Sequence, residues 1–451
     1  MSTTKTAKKT SSILFTDGGL AGKLVRFVIP VAAASMIQQL FHSADTAVVG
    51  KFVGKQALAA VGGTTPLVNL FIEFFVGISN AANVVVALYI GQDNKKRAAD
   101  AVHTAISVAL FSGLIVGLAG FFLSEPMLGL MLVPDDVIGL SAEYLRIYFL
   151  GMPFLMLNNF SSAVFRSRGD TKKPLYCLLS GGIVNVILNL IFVLGFDAGV
   201  AGVAWATVIS SGVSSFAMLF LLTREEEIIR LDLRKLRVDR EILGMLIKIG
   251  LPSGFLGSVF SISNICTQSA INSLGTDAVS ASSAAVNIEI YLQFLGNAFA
   301  QATTTAVSQN HGAKRNDRCV KVIKTALLLC VSVTLVLSAA VFMSGRRLLR
   351  IFVDDAAVIE IAMTRMKYTV VFKFVQSVMD IMSGGLQGYG YTLVPALISV
   401  FGVCGTRLLW IFMVFPGYRT LGALMFIYPV TQGIAAVAYT IVFMLRTRRN
   451  E

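Results

Sequence analysis

Charge is scarce in this sequence. Only 14% of its 451 residues are Asp, Glu, Lys or Arg, and 55% are hydrophobic, whereas a soluble domain carries about a quarter charged residues. That shortage excludes an ordinary water-soluble fold. Cysteine is scarce too: Cys177, Cys266, Cys319, Cys330 and Cys404 lie in or beside apolar runs. They stand at no metal-ligand spacing, so they imply neither a disulfide framework nor a metal centre and read as small buried hydrophobes. No segment shows the strict two-residue alternation of a transmembrane β-barrel. The basic residues form no patch with interleaved aromatics, so a nucleic-acid partner is unnecessary. The N-terminal "MSTTKTAKKTSSILFTDGGLAGK" is polar, and the apolar run after it lacks a small-residue cleavage site. A removable signal peptide is not expected, and the first helix stays.

What is abundant is apolar sequence of spanning length. Stretches near 27–50, 58–90, 101–123, 137–164, 174–196, 201–222, 246–272, 281–307, 321–343, 358–384, 395–415 and 421–445 are each long enough to cross about 30 Å of hydrocarbon as helix. The expected fold class is therefore an all-α integral membrane protein with twelve transmembrane helices. If the N-terminus lies inside, the inner segments hold Lys5, Lys8, Lys9, Lys23 and Arg26, Lys95 to Arg97, Arg166, Arg168, Lys172, Lys173, the basic stretch 223–245, Lys314, Arg315, Arg318, Lys321, Lys324, and the tail's Arg446, Arg448 and Arg449. The outer loops hold only Lys51, Lys55, Arg346, Arg347, Arg350 and Arg419. The positive-inside rule then places both termini in the cytoplasm, in a multi-pass protein of the cytoplasmic membrane, and accounts for the net charge of +13.

The chain also repeats itself. "FRSRGDTKKP" (165–174) and "LQGYGYTLVP" (386–395) align Gly169 with Gly390, Thr171 with Thr392 and Pro174 with Pro395, each pair 221 apart. The same offset joins Gly54 to Gly275, Ala57 to Ala278, Ala60 to Ala281, Gly91 to Gly312 and Arg97 to Arg318, while Pro30 meets Pro252 at 222. An even number of spans per repeat inserts both halves in the same direction, so two pseudo-symmetric six-helix bundles related by an axis along the membrane normal are expected. The expected divisions are 1–222 for the first lobe, 223–245 for a solvated cytoplasmic linker and 246–451 for the second lobe.

"IPVAAASMIQQLFHSADTAVVGKFVGKQALAAVG", the "RSRGDTKKP" after the fourth span, "NVILNLIFVLGFDAGVAGVAWATVIS" and "AVSQNHGAKRNDR" together resemble the multidrug and toxic compound extrusion (MATE) transporters, over roughly residues 18–445. The resemblance implies two six-helix lobes around a central cavity, open alternately to either side, that expel organic cations in exchange for H⁺ or Na⁺. It also makes Asp45, the carboxylate of the first helix, the cation-coupling residue. In one branch of the family the position of Asn189 is acidic; this sequence has an amide there. Glu289 matches an acidic position common in bacterial members, and Arg407 also looks family-like.

The residues support that expectation independently. An aspartate facing lipid costs roughly 2.5 to 3.5 kcal/mol on insertion scales, so Asp45 must face protein or water. Asn185 and Asn189, at i and i+4, share one face of the fifth span; their amides can donate to an ionised Asp45 or offer a carbonyl to Na⁺. His42, three residues before Asp45, reads as a packed hydrogen-bonding group more readily than a functional one. Glu73 lies mid-span with Asn69 and Asn80 on its face and joins the cation-coupling candidates, although a neutral buried acid would explain it equally. The second half holds Glu289, Arg407 and the polar face Lys373, Gln376, Ser377 and Asp380. Those acids and bases are expected to pair, with at least one ion pair among Glu289, Lys373, Asp380 and Arg407. The first half, lacking an obvious intramembrane base, is the better coupling site.

The leading functional reading is an ion-coupled antiporter, functional as a monomer among membrane lipids, that exports amphipathic or cationic small molecules. It needs no cofactor beyond the coupling ion, H⁺ or Na⁺. A flippase for lipid-linked oligosaccharides from a related superfamily is the alternative, and a cavity rich in Arg and Lys would favour its anionic cargo. A membrane enzyme is disfavoured. Only 223–245 is long enough for a site, and it has no nucleophile motif, ligand spacing or phosphate loop.

Overall fold

A computed structural model describes residues 13–131, 135–225 and 228–447. Lys5, Lys8, Lys9, Arg448 and Arg449, which contribute to the expected orientation, lie outside the described residues. Long runs without backbone breakers, in a medium where every N–H and C=O must bond internally, give helices throughout. They are α1 (Leu20–Val48, continued by a π-helical turn Val49–Val53), α2 (Lys55–Gly91), α3 (Lys95–Leu130), α4 (Asp135–Leu150), α5 (Met152–Ser167), α6 (Lys172–Leu190), α7 (Gly199–Thr223), α8 (Arg240–Asn272), α9 (Thr276–Gly312) and α10 (Asn316–Met343). The short α11 (Gly345–Leu349) follows, then α12 (Ala356–Thr369), α13 (Lys373–Gly388), α14 (Leu393–Leu397), α15 (Thr406–Leu409), α16 (Phe415–Tyr418) and α17 (Leu421–Thr447). π-Helical stretches Ile398–Gly405 and Trp410–Val414 join α14, α15 and α16 into one column.

Among the described residues, nine helices are long and apolar enough to cross a membrane, ten if the bent pair α4 and α5 is one span. Two of the twelve expected columns fall below that apolarity: α9, and α12 with α13. They carry Glu289, Arg365, Lys373 and Asp380 together with many amides and hydroxyls, which the bundle encloses.

The repeat is visible in the backbone. α2 and α9 are each 37 residues long and start 221 apart; α5 and α13 are each 16 residues long at the same offset. Gly54 and Gly275, Asp93 and Lys314, and Gly169 and Gly390 share positive φ in pairs at that offset. α2 and α9 cross at a point that also obeys it. A Cβ at Gly91 would lie 2.0 Å from the Gln309 carbonyl oxygen, and one at Gly312 would lie 2.1 Å from that of Leu88. Only glycine permits this reciprocal backbone approach. One turn or so above it, Asn83 Nδ2 donates to Thr305 Oγ1 at 3.0 Å.

Each half also sends a helix start into the other. Phe27, Val28 and Val31 of α1 pack with Ala298, Phe299 and Ala302 of α9, whereas Ile242, Leu246 and Ile249 of α8 join the core of α2, α3 and α5. α8 lies against α2 through Gly250, Gly254 and Gly257, small residues that let the helices close up. The segments ahead of α1 and α8 are strapped down in the same reciprocal way. Phe15 is fully buried and donates its N–H to Gln309 Oε1 at 2.8 Å. Residues 228–239, expected to be solvated, instead bury Ile229 and Leu231, because these two apolar side chains find a hydrophobic slot beside α3 and α7. His103 Nε2 accepts from the Asp232 N–H at 3.1 Å, Thr104 Oγ1 accepts from that of Asp239, and Arg237 pairs with Asp100. These contacts gather at the basic end, where α2 and α9 cross.

Candidate functional site

A cavity of about 490 Å³ runs between the halves, lined chiefly by α1, α2, α5, α6 and α7, with Phe294, Asn297 and Gln301 from α9. Its geometry near Asp45 starts from two glycines. Gly181 and Gly182 leave α6 without side chains, and the Phe41 ring fills the space so closely that a Cβ at Gly182 would sit 1.7 Å from it. One turn beyond Phe41 on α1 comes Asp45; two turns beyond Gly182 on α6 comes Asn189. Asn189 Nδ2 accordingly donates to Asp45 Oδ1 at 2.5 Å and lies 3.3 Å from Asn185 Oδ1. Asn185 and Asn189 are both buried. Asn189 Oδ1 is buried without a partner. A carboxylate and a free amide oxygen thus stand side by side, a donor set suited to a proton on Asp45 or to a hard monovalent cation.

Glu73 reaches the same cavity with Asn69 and Asn80, its side chain open to it, and has no hydrogen bond or ion pair among the described residues. His42 also lines it and makes no side-chain hydrogen bond to Asp45. The structure adds one residue that the sequence reading placed in a loop. Arg166 lies within α5, one residue before its end, and lines the cavity. The first half therefore does hold a base at the cavity wall.

The second-half candidates make separate contacts of their own, and none of them lines this cavity. No ion pair forms among Glu289, Lys373, Asp380 and Arg407 in the described residues, contrary to expectation. Glu289 pairs instead with Arg365, whose Nε and Nη2 each lie 3.1 Å from a carboxylate oxygen, while Thr369 Oγ1 donates to Glu289 at 2.5 Å. Arg365 falls within the expected span 358–384 but was not weighed among its interior charges. Its spacing of eight residues from Lys373 was the available signal. Lys373 Nζ and Gln376 Nε2 both donate to Gln293 Oε1, at 2.7 and 2.6 Å, and Gln432 donates to Gln376. Asp380 Oδ2 lies beside Gly296. Arg407 donates to Asn264 Oδ1 at 3.3 Å and stacks over Tyr428, 4.1 Å from the ring centre.

The profile of the MatE family matches residues 30–191 and again 252–413, once in each half. The chain belongs to the MatE family. Members are transporters rather than enzymes. This MatE protein is 27% identical over 388 residues to the probable multidrug resistance protein YoeA of Bacillus subtilis (strain 168), covering 84% of each chain. It is 26% identical to the probable multidrug resistance protein NorM of Thermotoga maritima, over 86% of this chain and 84% of that one. Among solved structures it superposes on the outward-facing conformation of a multidrug resistance MATE transporter with a TM-score of 0.90 at 22% identity, covering 99% of this chain and 100% of that one. It superposes equally on a MOP superfamily transporter from Pyrococcus furiosus, described as having a binding pocket of reverse polarity (TM-score 0.89, 22% identity, coverage 98% and 99%). The fold is thus that of a multi-span MATE transporter.

Proposed function

We propose that this protein is an antiporter that exports amphipathic, often cationic small molecules in exchange for H⁺ or Na⁺, with Asp45 as the coupling carboxylate. The observation that carries the reading is the Asp45 site: a carboxylate at the cavity wall, held by the neutral amide of Asn189, with no basic partner among the described residues. An unpaired carboxylate in a partly dry site must bind a proton or cation or stay wet. Antiport requires that ion and substrate favour different states, since a ligand shifts an equilibrium only by its differential affinity. While Asp45 is charged, the cavity wall tolerates water or a cationic drug. Once Asp45 is neutralised, its desolvation cost falls and the helices of the first half can close around it. Glu73 supplies a second attraction for organic cations on the same wall, and the amide-rich lining adapts to varied hydrogen-bonding groups.

The reciprocal glycine contacts at the basic end fit an outward-facing state in which residues 1–222 and 246–451 act as the two moving lobes and 223–245 as the strap between them. The basic end is then cytoplasmic, as are both termini, in a monomer of the cytoplasmic membrane. A flippase for anionic lipid-linked sugars would want a basic cavity; here the lining holds two acids and one arginine. The test is efflux of a cationic dye from vesicles of defined orientation. A proton or a sodium gradient should drive it, and collapse of that gradient should stop it. Dye movement indifferent to both gradients would refute ion coupling.

A further inference from the structure

Arg166 has no place in the exchange just described. It is the one basic side chain besides His42 among the described residues lining the cavity. Its Nε is buried and unpartnered, and no carboxylate of the described residues lies within ion-pair distance of its guanidinium. Burying an arginine without a counter-charge is costly, and a cavity lining is where such a cost is offset by a ligand.

The surroundings define the ligand. Asn158, Ser162 and Arg166 fall at i, i+4 and i+8 on one face of α5, and all three line the cavity. Arg166 stands at the level of Thr171 and Pro174, at the start of α6, whereas Asp45 is held at Asn189, roughly 22 Å further along that helix at 1.5 Å per residue. Acids and arginine thus sit toward opposite ends of one cavity and do not neutralise each other. A guanidinium presents a planar fork of donors that matches an oxyanion in bidentate fashion.

We propose that Arg166 is an anion-binding subsite, and that the transporter selects amphiphiles carrying an oxyanion, a carboxylate or a phosphate, as well as cationic ones. This deepens the exporter reading and rests on it for the word substrate, but not for the binding itself. A purely cationic compound uses the Asp45 and Glu73 end; a zwitterionic one engages both ends.

The test compares two dyes that differ at one group: a cationic xanthene with a free carboxylate, and its methyl ester. Binding to the purified full chain is followed by fluorescence polarisation, with no gradient present. The wild type should bind the acid about tenfold more tightly than the ester, the scale of one charge-assisted hydrogen-bonded pair. Arg166→Gln should bring that ratio close to one, and Arg166→Lys, which keeps the charge but loses the fork, should leave an intermediate ratio. A short-chain phosphatidylglycerol that displaces the acid alone would identify the oxyanion as a lipid phosphate; failure to displace would identify it as a solute carboxylate. Equal binding of the two dyes by the wild type overturns the proposal, as does a ratio undiminished by Arg166→Gln or, should that variant not fold, undiminished by Arg166→Lys. Vesicle efflux of the ester separately tests the exporter reading. Its absence beside a clear acid preference would leave the subsite standing and remove the exporter.

Discussion

In the first half Asp45 receives one hydrogen bond from a neutral amide, whereas in the second half Glu289 is gripped by both edges of the Arg365 guanidinium and by Thr369. At the 221-residue offset that relates the halves, Asp45 stands opposite Cys266, Glu289 opposite Val68, Arg365 opposite Tyr144 and Arg166 opposite Gln387. The shared register therefore conserves the lengths of α2 and α9 and of α5 and α13, the turns and the crossing point, while these interior charges diverge. The difference teaches that one architecture has been put to two uses. The second half neutralises Glu289 internally. The first leaves its acids, and one arginine, to the contents of the cavity.

The strongest way to break this contrast is Asp45→Asn. The amide is nearly the same size, imitates the neutralised carboxylate and leaves the Phe41 and Gly182 packing untouched. Gradient-driven efflux should be abolished, while expression, membrane insertion and thermal stability in detergent stay close to wild type. Glu73→Gln, measured beside it, should weaken efflux of cations far less. Wild-type efflux by Asp45→Asn at matched expression would remove Asp45 from the mechanism.

The converse pattern is expected in the second half. Arg365→Met leaves Glu289 buried without its counter-charge, a change of about 3 to 5 kcal/mol in comparable sites. The pair's side chains are 7% and 12% exposed, so solvent offers little relief. The double variant Arg365→Met with Glu289→Leu should recover most of the loss, because replacing a buried pair by apolar groups is often neutral. Thermal unfolding of the detergent-solubilised protein would read both. A tolerant Arg365→Met would show that the clamp is not structural and that the halves differ less than their geometry suggests.

A smaller effect tests what the halves share. Gly91→Ala and Gly312→Ala each place a methyl group against a backbone carbonyl that cannot swing aside, so both should weaken closure of the basic end about equally. Accessibility of cysteines introduced at the lower cavity wall to a membrane-impermeant reagent applied from that end should rise several-fold in each. Unequal responses would show that the crossing of α2 and α9 is symmetric in shape alone.

Most of this architecture was legible in the sequence, and the reasons separate cleanly. The twelve columns follow from run length, and the Gly91 and Gly312 contact follows from the offset, since a repeat that keeps its glycines keeps its close approaches. The neighbourhood of Asp45, Asn185 and Asn189 was legible because a lone carboxylate in a span needs polar company and i, i+4 amides supply it. What was not legible was the direction of the bases. Arg166 and Arg365 lie close to helix ends, where the sequence cannot distinguish a side chain that snorkels to the surface from one that turns inward. The strap formed by 228–239 was hidden for a related reason. Ile229 and Leu231 are two apolar residues in a charged run, and two residues carry no periodicity.

That strap gives the last and smallest expected effect. Residues 13–19 are held to the second half mainly by main-chain carbonyls that accept from Arg315 and Arg318, with an exposed Asp17–Arg315 pair, whereas 228–239 are held to the first through the Asp239 and Asp100 carboxylates and the His103 imidazole. The Asp239 carboxylate accepts from the Ile242 N–H at 3.0 Å and faces Arg97 at 3.1 Å, and these hold its pKa below the usual carboxylate value. A depressed acid contributes stability above its ordinary range, and loses it as pH falls through the lowered value. The imidazole of His103 accepts from the Asp232 N–H through Nε2, with Nδ1 2.6 Å from the Ala99 carbonyl, an arrangement that requires the neutral Nδ1–H tautomer. His103→Phe and Asp239→Ala should each speed proteolytic cleavage within 228–239 by a few-fold at neutral pH, with dye efflux little changed. The wild type should gain the same sensitivity only in acid, once Asp239 is protonated, as read by a protease active there. Cleavage at 13–19, held chiefly by arginines that stay charged and by one exposed carboxylate, Asp17, should follow pH less; parallel behaviour of the two segments would show that the strap is held by Ile229 and Leu231 alone.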